Sequence, residues 1–335
     1  METEVLIAIL ASTFSLIVAI VSIFGERRNA QVLEGFRSKL TEAQSERDAR
    51  RDYEYEARKR LYQEFEPLLF QFMEFSENAS DRIAGLARTA RNGNLNPHSG
   101  WLAGDSYYLR STIYRLMAPL VVAKLMQRRL TLVDLRVDPR IRGQYSLIKV
   151  LYNSLNDAFA IAAQIPKLEY DPNSEVSDEQ RRKEAPRYYP QGMYSMYLDT
   201  VVNAMVQHSE NDPPRCMSYE EFEDIYRNKA SSAQQSFEQI RTLFWGFHPK
   251  DRPVLWRTLL VQAQIYRTLR NLTSRSEPSL NIRELSTSAQ ERLVFDWRDH
   301  NSQARDQEVL VDPFTAAESY MRNRLASILP PDGKM

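Results

Sequence analysis

The chain has 335 residues, with 44 basic against 44 acidic side chains and no formal net charge at neutral pH. That balance argues against a global electrostatic drive towards nucleic acid or acidic lipid, so nucleic acid is not an expected partner. A single cysteine, Cys216, and four scattered histidines argue against a disulfide framework or a paired Cys/His metal site, and no metal or cofactor is expected.

The first element is the stretch 5–24, VLIAILASTFSLIVAIVSIF, which carries no charge. An α-helix of that length covers about 30 Å, the hydrocarbon thickness of a bilayer. A cleaved signal peptide would have a basic start and a shorter core. Here Glu2 and Glu4 precede the core, and Phe24–Arg28 is a poor cleavage site. The sequence therefore predicts a retained single-pass anchor over 1–25, with the bilayer as first partner. Arg27, Arg28, Arg37 and Lys39 follow the segment, whereas no Lys or Arg precedes it. The positive-inside rule then puts the N-terminus outside the cell (inner or plasma) membrane and the remaining chain in the cytoplasm.

Within the anchor, Ala8, Ser12, Ser15, Ala19 and Ser22 are spaced 4-3-4-3 and form a stripe of small residues on one helix face. Such stripes let membrane helices approach closely. The phase continues past the membrane through Glu26 and Asn29 to Leu33, Phe36, Leu40 and Ala43, where it becomes a heptad-like seam. One self-association face is predicted, and hence a homo-oligomer.

Residues 26–66 hold ten acidic and ten basic side chains, with pairs such as Glu54–Arg58 and Glu56–Arg60 at helical spacing. This reads as a charged helical stalk, which Pro67 should kink, or after which it should start a new helix. A first helical subdomain is expected over 67–169. Its opening helix, 67–91, carries Leu68, Leu69, Phe72, Phe75, Ala79, Ile83, Leu86 and Ala90 on one face. A loop follows over 92–104. A central apolar helix over 105–130 is capped by Asp105 or Ser106 and kinked at Pro119. The stretch LVDLRV (132–137) has a short extended or turn-like look, and a further helix spans 144–164. The stretch 170–192, with three prolines and almost no aliphatic side chains, is the best candidate linker.

The second half, 193–330, shows helix signals over 193–209, from Ser218 to Phe244, 253–273, 288–297 and 312–329. Ser218 with Glu221 and Ser288 with Glu291 form capping boxes. Few glycines (10) and no run of alternating β-branched and polar residues make the expected fold class all-α: anchor, charged juxtamembrane helix and helical bundle. The basic residues comprise 9 Lys and 35 Arg. Arg excess suits phosphate or carboxylate recognition, but it also follows from GC-rich coding. The second reading is the one adopted, and with no eukaryotic sorting motif it points to a bacterial origin.

No phosphate loop, dinucleotide fingerprint, nucleophile elbow or zinc-protease motif occurs. One short element, Arg91-Asn92 through His98, resembles the Arg-polar-x(3–5)-His element of all-helical nucleases of the HEPN type; Arg241-Thr242 through His248 is a poorer match. The resemblance covers eight residues and implies a ribonuclease in which Arg91, Asn92 and His98 act on an RNA phosphodiester. Gly93 and Pro97 put the element in a loop, whereas the family carries it on a helix. The leading expectation is non-enzymatic: a self-associating, membrane-anchored scaffold, sensor or interaction module with a cytoplasmic protein partner. The alternatives are a membrane-tethered HEPN-like ribonuclease and a membrane-perturbing effector of a stress or defence system.

Overall fold

The structure is a computed structural model that describes residues 2–96, 98–163, 191–209, 212–228, 231–273, 288–297 and 313–328. About 79% of these are helical, and the strands among them are two residues each, so the fold class is all-α. The chain divides into two compact units, Met1–Lys59 and Arg60–Met335.

The first unit lies within α1, Glu2–Arg91. Its polar surface carries ion pairs at helical spacing: Arg50–Glu54 at 3.2 Å, Arg51–Asp48 at 3.1 Å, Arg58–Glu54 at 4.0 Å and Lys59–Glu56 at 3.8 Å. Pairs this exposed are worth a few tenths of a kcal/mol each at most, about the value of any i,i+4 pair. They favour a helix without requiring a neighbour. The seam residues Leu33, Phe36, Leu40 and Ala43 are all exposed.

The second unit has one contiguous hydrophobic core. The stretch 61–90 of α1 lays Leu61, Phe65, Phe72, Ala79, Ile83, Leu86 and Ala90 into it, while Leu68, Leu69 and Phe75 of the face read from the sequence are only half-buried against it. Pro67 does not end this helix. Pro67 and Gln63, whose carbonyl its missing N–H would have bonded, are both exposed, so water can solvate the freed oxygen. Phe65 and Phe72, buried on either side, hold the turn in place.

Helix α2, Tyr107–Leu130, is the central element, and most of its side chains are buried. Ser106 is its N-cap, accepting from Leu109 N at 3.0 Å, and Arg128 with Arg129 lies in its last turn. Pro119 stays inside it. The stretch LVDLRV forms a 3-10 turn, Leu135–Val137, with Asp134 capping it. Helix α3, Pro139–Ser154, starts before the expected residue 144, because Asp138 caps it at Arg140 N (2.9 Å) and Ile141 N (3.3 Å), with Pro139 at the first position. The expected single helix over 144–164 is interrupted at Leu155–Asp157, and α4, Ala158–Ala163, resumes it. Asp157 at this break binds Tyr320 (2.5 Å) and Arg324 (2.9 Å).

The expected linker lies outside the described residues except for Gln191 and Gly192. Gln191 is buried, and its Oε1 accepts from Val254 N at 2.9 Å. Helix α5, Ser195–Ala204, stops short of residue 209. The chain then extends into an antiparallel bridge, β1 Val206–Gln207 with β2 Arg215–Cys216, in register Val206↔Cys216. The expected helix from Ser218 to Phe244 is two: α6, Tyr219–Arg227, and α7, Ser232–Phe244, the second capped by Ser231. Helix α8, Pro253–Thr273, matches its expected span; α9, Ala289–Val294, and α10, Pro313–Ile328, follow. Helix α8 packs on α3, α4 and α10, so elements from both sides of residues 164–190 share one core.

Three polar ties fix these helices. Asp199 on α5 accepts from Lys124 of α2 at 2.8 Å and from Tyr152 of α3. Arg110 of α2 donates to Glu223 of α6 at 2.9 Å. Arg267 of α8 donates to Glu291 of α9 at 2.5 Å.

Candidate functional site

In the first unit, Ser12, Ser15, Ala19 and Ser22 are exposed along α1, as are Phe14, Leu16, Ile17, Val18, Ile20 and Val21 between them; Ala8 lies outside the described side chains. Thr13 donates its hydroxyl to Leu10 O at 2.9 Å, so its polar atom is satisfied within the helix. Among the described residues, no helix is long and apolar enough to cross a membrane.

The second unit holds the Arg91 element. Arg91, in the last turn of α1, donates from Nε to Asp296 O at 3.0 Å, and from Nη2 to the same oxygen and to Leu293 O at 3.4 Å. It thus caps the C-terminal end of α9, where carbonyls lack helical partners. Asn92 follows in a turn with Gly93, whose φ of 74° falls in the left-handed region that glycine tolerates. His98 is exposed, and its backbone N donates to Asn96 Oδ1 at 2.9 Å. Arg91 and Asn92 line hollows described next; His98 lines none of these. In the poorer match, Arg241 pairs with Glu238 at 2.7 Å, and His248 Nδ1 accepts from Lys250 N at 3.1 Å. Burial holds the His248 imidazole below its ordinary pKa, the nearby Lys250 adding to this and Asp251 opposing it.

Around the end of α1 the surface folds into two adjoining hollows of about 270 and about 490 Å3, which share Asp81, Arg88 and Arg115. Asp81, Arg82, Gly85, Arg88 and Thr89 come from α1, Asn92 from the turn after it, and Tyr108 and Arg115 from α2. Leu293 and Val294 of α9 close one side, and Trp101 of the connecting loop lines the other hollow. Gly100 supports that loop: its N donates to Asn96 O at 2.8 Å, and a Cβ there would meet Asn96 N at 2.3 Å.

Arg82 sits at the base of this groove, 8% exposed. Its guanidinium lies 4.5 Å from the centroid of the Tyr108 ring, and Nη2 donates to Ser111 Oγ at 3.1 Å. Its Nε is buried and has no hydrogen-bond partner. Burial pulls the Arg82 pKa below its ordinary value, Tyr108 opposes this, and the neighbouring Arg115 cation lowers it further. The Tyr108 hydroxyl shares a hydrogen bond with Thr89 Oγ1 at 2.9 Å, and Trp101 stands edge-on to the Tyr108 ring at 5.2 Å. Asp81 is the one carboxylate among the lining residues, against Arg82, Arg88, Arg91 and Arg115. Chemically this is a rigid, positively charged concavity with an aromatic flank.

Sequence reasoning found Arg91 and Asn92 and missed Arg82, Arg88 and Arg115. A signal was present for Arg88 alone, which follows Asp81 and Gly85 on one stripe of α1, whereas Arg82 falls on the apolar stripe with Leu86. Arg115 could not be assigned to it, because only the packing of α2 against α1 brings the two stripes together. Compared with protein-family models, curated proteins and solved structures, the chain matches none.

Proposed function

We propose that the protein is a single-pass, membrane-anchored module that self-associates along α1 and presents its helical second unit in the cytoplasm as a sensor or interaction domain, in a bacterial cell. The observation that supports this reading is exposed apolar surface on two stretches of one helix. From Phe14 to Val21 the described large side chains of α1 are exposed, and in phase with the small-residue stripe so are Leu33, Phe36 and Leu40. Twenty residues of this helix, 5–24, carry no charge. Exposed apolar surface on this scale calls for lipid on the uncharged stretch and another helix on the seam. A charged helix such as 26–59 suits a stalk.

The test is expression of the full chain with membrane fractionation and crosslinking of the wild type beside Ser12→Leu/Ser15→Leu. The wild type pellets with membranes, resists alkaline extraction and crosslinks beyond a monomer, and the variant stays in the membrane but crosslinks less. Release by alkali removes the anchor; a variant that crosslinks as the wild type removes the assembly face. The nuclease reading lacks comparable support, because Arg91 is committed to main-chain carbonyls and His98 lies on an exposed loop. The effector reading shares the anchor and is separated by growth: arrest on expression that Ser12→Leu/Ser15→Leu relieves would favour it.

A further inference from the structure

We infer that the arginine groove formed by Arg82, Arg88 and Arg115, against the Tyr108 and Trp101 rings, is a binding site for a phosphoryl-bearing ligand of two or more negative charges. The groove lies wholly within the unit Arg60–Met335, so the inference stands or falls independently of the anchor.

Charge is the first reason. Four guanidiniums face one carboxylate, Asp81. Arg91 is committed to the end of α9, which leaves Arg82, Arg88 and Arg115 for a ligand. Among the described residues none of these three has an ion pair, and neither does Asp81. Three other arginines among the described residues do have a carboxylate: Arg110 with Glu223 at 2.9 Å, Arg267 with Glu291 at 2.5 Å, and Arg324 with Asp157 at 2.9 Å. A groove that holds four like charges beside one carboxylate, with no close ion pair among Arg82, Arg88, Arg115 and Asp81, is electrostatically costly in the empty protein, and a dianion relieves that cost.

The second reason is the buried, unpartnered Nε of Arg82. A buried donor left without an acceptor costs about 1–3 kcal/mol, more when charged. The third is geometry. A guanidinium presents parallel N–H donors that match the oxygens of a phosphoryl group. Arg82 is held in place by the Tyr108 face and Ser111, so little conformational freedom is lost on binding. Trp101, half exposed beside the groove, can take an apolar or ring portion of the same ligand.

A phosphoryl group of this kind reaches the groove from a free small molecule or from a lipid headgroup, and the experiment separates the two. The full chain, purified in a mild detergent, is titrated with pyrophosphate and with ATP while thermal unfolding and tryptophan fluorescence are followed. A parallel sample is mixed with micelles carrying phosphatidic acid and no soluble phosphate. Each arm is repeated with Arg88→Ala/Arg115→Ala, and with Arg88→Gln alone, whose position is exposed, should the double variant fold poorly.

The expected result is a rise in unfolding temperature with pyrophosphate or ATP, and roughly a tenfold or greater loss of affinity in the double variant, as for one lost charge-assisted hydrogen bond or more. A response confined to phosphatidic acid, and abolished by the same substitutions, assigns the phosphoryl group to a lipid headgroup. No response in either arm, or one that the arginine variants share with the wild type, overturns the inference. Crosslinking and membrane retention are unaffected in every case, so the anchor reading is judged separately.

Discussion

The guanidinium of Arg82 lies 4.5 Å from the centroid of the Tyr108 ring, and this ring is what the buried cation has in place of a carboxylate. A cation over a ring is worth up to about 2 kcal/mol when desolvated. Removing a guanidinium from water costs several kcal/mol. The balance runs against stability, so Arg82→Leu should leave the unfolding free energy within about 1 kcal/mol of the wild type, or raise it, while abolishing stabilisation by pyrophosphate. Urea denaturation with and without pyrophosphate tests both halves. A loss of more than about 3 kcal/mol without ligand would make Arg82 a structural residue.

Acid should loosen α6 through Glu221. Its carboxylate accepts from Arg215 Nη1 and Nη2 at 2.8 and 2.7 Å and from Ser218 N at 2.6 Å. The Arg215 bonds first, then the Ser218 backbone bond, outweigh desolvation and bring its pKa from an ordinary 4.5 to about 2. A depressed folded-state pKa stabilises the fold above the unfolded value and ceases to do so as pH falls through the folded one. The window is therefore from about 4.5 down to about 2. Asp199 acts with the same sign: burial alone would raise its pKa, but the bonds from Lys124 and Tyr152 outweigh it and hold the carboxyl below its usual range. Glu221→Gln should flatten the fall of the urea midpoint between pH 5 and 3, and a slope equal to the wild type's would remove Glu221 from this account.

Cys216 should be chemically silent in the native protein. It is 7% exposed, pairs with Val206 in the β-bridge, and burial pushes its thiol up to about 12. The thiolate is the reactive species, so Ellman's reagent at pH 8 should titrate no thiol in the folded chain and one per chain in guanidinium chloride. Prompt native labelling would show that the bridge region opens.

Leu33→Glu/Leu40→Glu places two charges on the exposed seam. Crosslinked species should fall towards monomer, because like charges across a seam repel. The thermal midpoint of the unit Arg60–Met335 should not move, since exposed substitutions stay within about 0.5 kcal/mol. Oligomers that persist unchanged would place the self-association surface elsewhere.

Phe72→Ala should cost about 3–5 kcal/mol, the range for truncating a fully buried aromatic. Phe72 is completely buried on α1, its ring 6.2 Å from that of Tyr266 on α8. Chemical denaturation gives the value directly, and a cost below about 1 kcal/mol would mean that this end of α1 is dispensable to the core.

Local chemistry was readable before any coordinates. The capping boxes Ser218/Glu221 and Ser288/Glu291 are both formed, because a hydroxyl three residues before a carboxylate satisfies orphan amides within one turn. The apolar face of residues 61–90 was readable too, since its spacing is the helix's own period. Where expectation and structure part, tertiary packing decided. Pro67 does not start a new helix, because burial of Phe65 and Phe72 holds the chain helical through it. The helix expected over 144–164 divides where Asp157 turns to meet Tyr320 and Arg324, partners more than 160 positions away.

The amino-acid sequence by itself determined the all-α class, most helix starts, the uncharged stretch 5–24 and the small-residue stripe, because propensity, capping and periodicity act within a few residues along the chain. Only the tertiary structure decided what the arginines do. It set Arg91 on the carbonyls of Leu293 and Asp296, about 200 residues distant, and brought Arg115 beside Arg82 and Arg88 without a close ion pair among the described residues. Coulomb and hydrogen-bond energies depend on distance in space, and nothing in residue spacing encodes a distance between α1, α2 and α9.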